Sequence, residues 1–164
     1  MDRISDVREQ DGNLVERHNC HRICQQAGRP AQPNATSIVA AIDRLIADSR
    51  TGGGPEIEFY DDLPIDELPS EVQTAVFPVV QELLLNACRH SKSKGILVGL
   101  TQDDESLCIQ VQDWGVGFNP DTIAHGHYGI EGIRRRVKLL HGIAAVHSSP
   151  GEGTLITVAL PLKE

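Results

Sequence analysis

The sequence predicts an α+β domain, a two-layer α/β sandwich in which one mixed sheet carries helices on one face. Three observations carry this. Two pairs of strand-like runs flank short turns: ILVGLTQ and LCIQVQD around DDES, and IAAVHSS and TLITVALPL around PGEG. NATSIVAAIDRLIADSR and SEVQTAVFPVVQELLLNACRH both repeat apolar residues at the helical period. A short alternating strand, EIEFY, lies between those two helices. Helices set between strands in this order suit one covering layer.

Taken along the chain, residues 1–35 are polar, and the glycine and prolines of GRPAQPN discourage a continuous helix. They read as an arm or linker, and residues 36–164 as the domain. Apolar residues at 38, 39, 42, 45 and 46 give the first helix one face, and TGGGP ends it. Ser70 and Gln73 have the spacing of a capping box for the second helix. Its expected buried face is Val72, Ala75, Val76, Val79, Val80, Leu83, Leu84 and Ala87. Pro78 interrupts that pattern and predicts a kink, or a fresh helix starting there, because it removes a backbone hydrogen bond at about 3 kcal/mol. A long glycine-rich loop, WGVGFNPDTIAHGHYG, precedes a short helix, IEGIRRRVKLLHG, closed by Gly142.

With aromatics at 4%, the core must be built from Val, Ile, Leu and Ala. A formal net charge of -8 argues against nonspecific binding of nucleic acid or anionic membrane, while leaving room for a nucleotide held locally. No run approaches the roughly 20 apolar residues of a membrane span. The start, MDRISDVREQDGN, lacks the apolar segment of a secretory signal. Of the cysteines at 20, 24, 88 and 108, the last two sit in apolar runs as small core residues. A reduced cytoplasmic protein is the simplest reading.

Three features stand out chemically. Glu82, Asn86 and His90 lie four apart and form a polar stripe along one flank of the second helix's apolar face, at the lip of a cleft. Without a ligand this would be a polar border. Asp113 ends a strand, with Gly115 and Gly117 after it. Such a carboxylate, beside an opened backbone, can accept a hydrogen bond from an amino group on a flat ligand. Without one it is a simple turn. Glycines at 126, 129 and 132 lead into a helix, whose N-terminal amides suit phosphate. The alternative there is a surface loop, although long loops in compact domains are often functional.

In order and spacing these features, closed by PGEGT, resemble the GHKL ATPase superfamily, over roughly residues 36–162. The closest likeness is the ATP-binding domain of bacterial sensor histidine kinases, in the branch of the nitrate and desaturase sensors. The segments GHYGIEGIRRRVKLLHG and SSPGEGTLITVALPL carry that likeness. The resemblance implies a Bergerat-type fold, ATP and Mg²⁺ as cofactors, and histidine kinase chemistry. It implies that Asn86 holds Mg²⁺ at the triphosphate, with Glu82 polarising a water or supporting the metal shell, and His90 near the phosphates. Asp113 would read the adenine amino group with Thr154 helping through water, and Gly115 and Gly117 would let the chain pass over the base. Residues 119–128, with Gly126, would form the lid, and Gly129 the phosphate-facing turn.

Implied partners are a phosphoacceptor and dimerisation domain and a downstream response regulator. The expected setting is cytoplasmic, including the cytoplasmic part of a membrane sensor, with no membrane contact by this segment. VERHNCHRIC echoes a phosphoacceptor pattern at His18, but His18 lies too close to Asn86 for two full helices, and Pro30 and Pro33 interrupt the segment. His18, Cys20, His21 and Cys24 are also donors for Zn²⁺, in a spacing that matches no standard finger. Arg134, Arg135 and Arg136 contact phosphate or a partner, or form a solvated helix face. Two readings remain open: a sensor-kinase catalytic domain, and a stand-alone binding protein like an anti-sigma factor, which phosphorylates serine or sequesters a partner.

Overall fold

The computed structural model describes residues 37–50, 53–63, 68–122 and 129–162. In chain order these form α1 (Ser37–Arg50), β1 (Glu56–Asp62), α2 (Ser70–His90), β2 (Gly95–Gln102), β3 (Ser106–Asp113), α3 (Ile130–Leu139), β4 (Ile143–Ser149) and β5 (Gly153–Pro161). The expected arm, with His18, Cys20, His21 and Cys24, lies outside the described residues, as does Gly126.

The five strands are ordered β1-β2-β3-β5-β4. β1 runs parallel to β2, Glu56 opposite Gly95, and α2 supplies the crossover that a parallel pair needs. The other pairings are antiparallel, so the sheet is mixed. Side chains alternate across a strand. One set, Ile96, Val98 and Leu100 of β2 with Ile109 and Val111 of β3 and Val158 of β5, joins the apolar faces of the helices in a single core. α2 buries the eight residues that its periodicity picks out.

α2 runs unbroken from Ser70 to His90 with Pro78 inside it, which overturns the alternative of a fresh helix at that proline. The lost hydrogen bond, about 3 kcal/mol, is outweighed by the neighbours it keeps in register. Val76, Val79 and Val80 are fully buried, each worth about 1.5–3 kcal/mol. The capping box does not form. Pro69 takes the cap position without a side-chain bond, and the Gln73 side chain donates instead to the Leu68 carbonyl at 2.7 Å. The DDES turn is built as expected: Asp103 Oδ1 accepts the backbone N–H groups of Glu105 at 2.9 Å and Ser106 at 2.7 Å. Cys88 is a half-buried free thiol whose pKa burial pushes up. Cys108 is buried on the sheet face away from the helices, beside Ala145. Among the described residues no helix is long and apolar enough to cross a membrane.

Candidate functional site

The end of α2, the ends of β3 and β5, and the start of α3 enclose a cavity of about 440 Å³. Leu83 and Ala87 of α2 and Val111 and Ile156 of the sheet give it apolar walls. Asn86, His90, Asp113 and Thr154 are its polar points, with Gly117 also lining it. An apolar slot with few convergent polar groups is the usual form of a small-molecule site.

Asp113 and Thr154 stand opposite each other in the β3–β5 register and are both buried. Burial raises the Asp113 pKa above its ordinary value, while backbone N–H groups of Gly115 and Thr154 pull it back. The Gly115 bond, to Oδ1, is 2.9 Å long. A carboxylate held this way is an acceptor aimed at the cavity's polar end.

The segment after Asp113 is pinned on both sides. Val116 N–H donates to Ser91 O at 2.7 Å, and Trp114 N–H donates to Ser93 Oγ at 3.2 Å. The Gly151 N–H in turn reaches Val116 O at 2.7 Å. The fit is tight enough that a Cβ on Gly115 would lie 1.9 Å from Ser91 O, and one on Gly117 (φ +58°) 2.0 Å from Ser149 O. These glycines were expected to make room for a base. What they demonstrably make room for is the chain's own backbone at the cavity rim.

Glu82 does not line the cavity wall with Asn86; the two converge instead on Gly129. A Cβ there would lie 2.2 Å from Asn86 Nδ2 and 2.6 Å from Glu82 Oε1. Gly129 has φ +103° and caps α3, its carbonyl accepting Ile133 N–H at 2.7 Å. The polar stripe of α2 therefore faces the positive N-terminal end of α3. Among the described residues no group of three His, Cys, Asp or Glu could hold a metal alone. Asn86 beside Glu82 fits Mg²⁺ that arrives with phosphate and water oxygens, since Mg²⁺ needs few protein ligands.

Arg134, Arg135 and Arg136 are all exposed, with Arg134 3.7 Å from Glu131 on the same helix, as a solvated face requires. Three residues of the site went unpredicted: Ser91 and Ser93, which pin the rim, and Ser148 on β4. Ser148 had a readable signal, because the PGEG turn sets it opposite Thr154.

Residues 71–164 match the family model described as histidine kinase-, DNA gyrase B-, and HSP90-like ATPase. The chain belongs to this family, whose domain binds ATP. An uncharacterized sensor-like histidine kinase of Chloroflexus aurantiacus is 30% identical over 82% of this chain and 24% of its own length. The signal transduction histidine-protein kinase/phosphatase DegS of Brevibacillus brevis is 29% identical over 59% of this chain and 25% of its own. The chain thus spans about a quarter of the length of these curated relatives. A blue-light activated histidine kinase from Erythrobacter litoralis shares the fold, with a TM-score of 0.62 and 24% identity over 76% of this chain and 42% of that one. The domain is therefore an ATP-binding domain of the histidine kinase kind.

Proposed function

We propose that this domain binds Mg-ATP in the cavity between α2 and the sheet and supplies the γ-phosphoryl group to a histidine on another segment or chain. The supporting observation is convergence: Asp113 and Thr154 at one end of the cavity, with Asn86 near the N-terminus of α3 at the other. A purine lies between the apolar walls, its amino group toward Asp113. The phosphates extend toward α3, whose first N–H groups have no acceptor within the helix and whose dipole favours negative charge. Asn86 would hold Mg²⁺ together with the phosphates, Glu82 would position a water beside it, and His90 would contribute from the exposed rim. Bound there, Mg²⁺ would supply charge neutralisation at the phosphates. The remaining contribution is positioning, as is usual for this chemistry. The phosphoacceptor and the response regulator that would follow it are partners of this reading, and a cytoplasmic setting goes with them.

The test is transfer from γ-labelled ATP with Mg²⁺, on the chain alone and mixed with a phosphoacceptor hairpin from a related kinase. Acid-labile, base-stable label on the hairpin is expected, absent with Asn86→Ala, and reduced with Glu82→Gln more than ATP binding is. Acid-stable label on serine would replace this reading with the anti-sigma-like one. ATP binding without any transfer would leave a sequestering role, and no binding at all would defeat both.

A further inference from the structure

Behind Thr154, outside the cavity wall, Ser148 ties three strands' worth of site together. Asp113 on β3, Thr154 on β5 and Ser148 on β4 lie in one cross-strand row, Asp113 opposite Thr154 and Thr154 opposite Ser148. The Ser148 hydroxyl makes three contacts of the same length. It donates to Gly153 O at 2.9 Å, accepts Phe118 N–H at 2.9 Å, and lies 2.9 Å from Thr154 Oγ1.

A hydroxyl has one proton and two lone pairs. With its proton on the Gly153 carbonyl and one lone pair taken by the Phe118 N–H, Ser148 meets Thr154 with its remaining lone pair. The proton of that bond must come from Thr154. The opposite polarity would set a Ser148 lone pair against the Gly153 carbonyl oxygen, leaving a repulsive contact where a hydrogen bond stands. Thr154 is 9% exposed and lines the cavity beside Asp113. Its proton committed outward, it offers the cavity only lone pairs. The wall at this end is thus made of two acceptors, a carboxylate and a hydroxyl locked as an acceptor.

We propose that Ser148 is a positioning residue for base specificity: by holding the Thr154 hydroxyl as an acceptor, it sets a preference for a 6-amino purine over a 6-oxo purine. The inference rests on the reading that this cavity takes the base of ATP. A 6-oxo group that meets this wall directly presents lone pairs to lone pairs and is rejected. A free Thr154 hydroxyl could rotate and donate to it. Because the Phe118 N–H shares the same oxygen, Ser148 also anchors the first residues of the segment that follows Gly117.

The experiment compares binding of Mg-ATP and Mg-inosine triphosphate by calorimetry to the wild-type chain, Ser148→Ala, Ser148→Thr and Thr154→Val, with thermal melts for folding. Wild type is expected to prefer ATP by about 100-fold or more, since a site built around a hydrogen bond strongly rejects the mismatched analogue. Ser148→Ala should cut that ratio about tenfold, chiefly by tightening inosine triphosphate relative to ATP, and Ser148→Thr should restore it. In the Thr154→Val background, Ser148→Ala should leave the ratio unchanged, because the proton it controls is gone. If Ser148→Ala weakens both nucleotides by the same factor, or shifts the ratio equally without the Thr154 hydroxyl, the relay is wrong and Ser148 is structural. Should Ser148→Ala not fold, the folded Ser148→Cys, whose thiol is a weaker partner, decides the point. A lowered ratio supports the relay and an unchanged one overturns it. A wild-type chain that binds both nucleotides alike would instead overturn the placement of the base.

Discussion

Gly129 stands over Asn86 so closely that a Cβ at position 129 would lie 2.2 Å from the Asn86 amide nitrogen, with Glu82 Oε1 only 2.6 Å away. The start of α3 and the polar stripe of α2 therefore meet through a residue that has no side chain. Its φ of +103° adds a second reason for glycine.

Gly129→Ala should accordingly displace Asn86 or push the start of α3 outward. Mg-ATP affinity is expected to fall at least about tenfold, a loss of about 1.4 kcal/mol. Gly132, three residues on in the same helix, is the control, because nothing lies within 4 Å of a Cβ there. Gly132→Ala should leave binding unchanged and stabilise the fold by about 0.5–1 kcal/mol, the ordinary gain for Ala over Gly inside a helix. Calorimetry and thermal melts on the pair separate the crowding of the site from a general effect of substituting glycine.

A different test concerns the rim. Ser93 Oγ accepts the N–H groups of Trp114 and Gly95, both at 3.2 Å, and donates to Gly95 O at 2.6 Å. Ser93→Ala removes all three, at about 1 kcal/mol net. Gly115→Ala drives a methyl into the Ser91 carbonyl, which must move and so weaken the Val116 bond. The expected loss is about 2–3 kcal/mol. Chemical denaturation should rank Gly115→Ala as the more damaging, and both should weaken ATP binding because Asp113 is bonded to the Gly115 N–H that moves.

How far these contacts were legible in the sequence follows from their range. The buried face of α2 was readable residue by residue, because a helix period and a core give the same answer. Asp113 and Thr154 were readable from the order of motifs, and the family match bears out the fold and the ATP-binding class those motifs implied. The contact of Ser91 and Ser93 with the 114–116 segment was not readable. It depends on where the end of α2 arrives against the end of β3, which no local pattern encodes. Gly115 and Gly117 were legible as close approaches but not as approaches to the chain's own backbone. The Ser70 and Gln73 pattern misled because the Leu68 carbonyl competes for the same side chain. Pro78 misled because local propensity loses to the packing of the valines around it.

Stability should respond to a carboxylate on the far side of the domain. Asp61, at the end of β1, has its Oδ2 buried with no hydrogen-bond partner among the described residues. Burial raises its pKa first, and the negative charges of Asp43 and Asp62 raise it further, against the pull of the Leu63 N–H. Asp43 is itself raised by burial and lowered by Arg50, whose guanidinium also bonds the Ile57 carbonyl. A raised folded-state pKa means that the stabilising contribution is complete below the ordinary 3.8 and lost as pH rises through the raised value. Asp61→Asn has no such loss. It should melt about 2 °C above wild type at pH 7, with the gain shrinking toward zero as pH approaches 4. A constant difference across that range would place its origin in packing instead of charge.

The raised pKa of Asp113 also bears on recognition. Its folded pKa is raised above 3.8 by burial, and the Gly115 and Thr154 N–H groups only partly offset this. Below the raised value the protonated carboxyl can donate a hydrogen bond, and the wall ceases to be made of acceptors only. Preference for a 6-amino over a 6-oxo purine should therefore fall as pH drops toward the raised value. The ratio of Mg-ATP to Mg-inosine triphosphate affinity is the right observable, because the titration of the phosphates is common to both ligands and cancels. Calorimetry from about pH 7.5 downward, as far as the domain stays folded, should show the ratio declining in wild type as pH approaches the raised value. Asp113→Asn carries an amide that presents both a donor and an acceptor at every pH, so its ratio should be low and flat. A wild-type ratio that stays constant, with the domain still folded, would mean that Asp113 does not face the discriminating edge of the base. A decline in wild type with a flat Asp113→Asn profile would tie base selection to the charge of this one carboxylate.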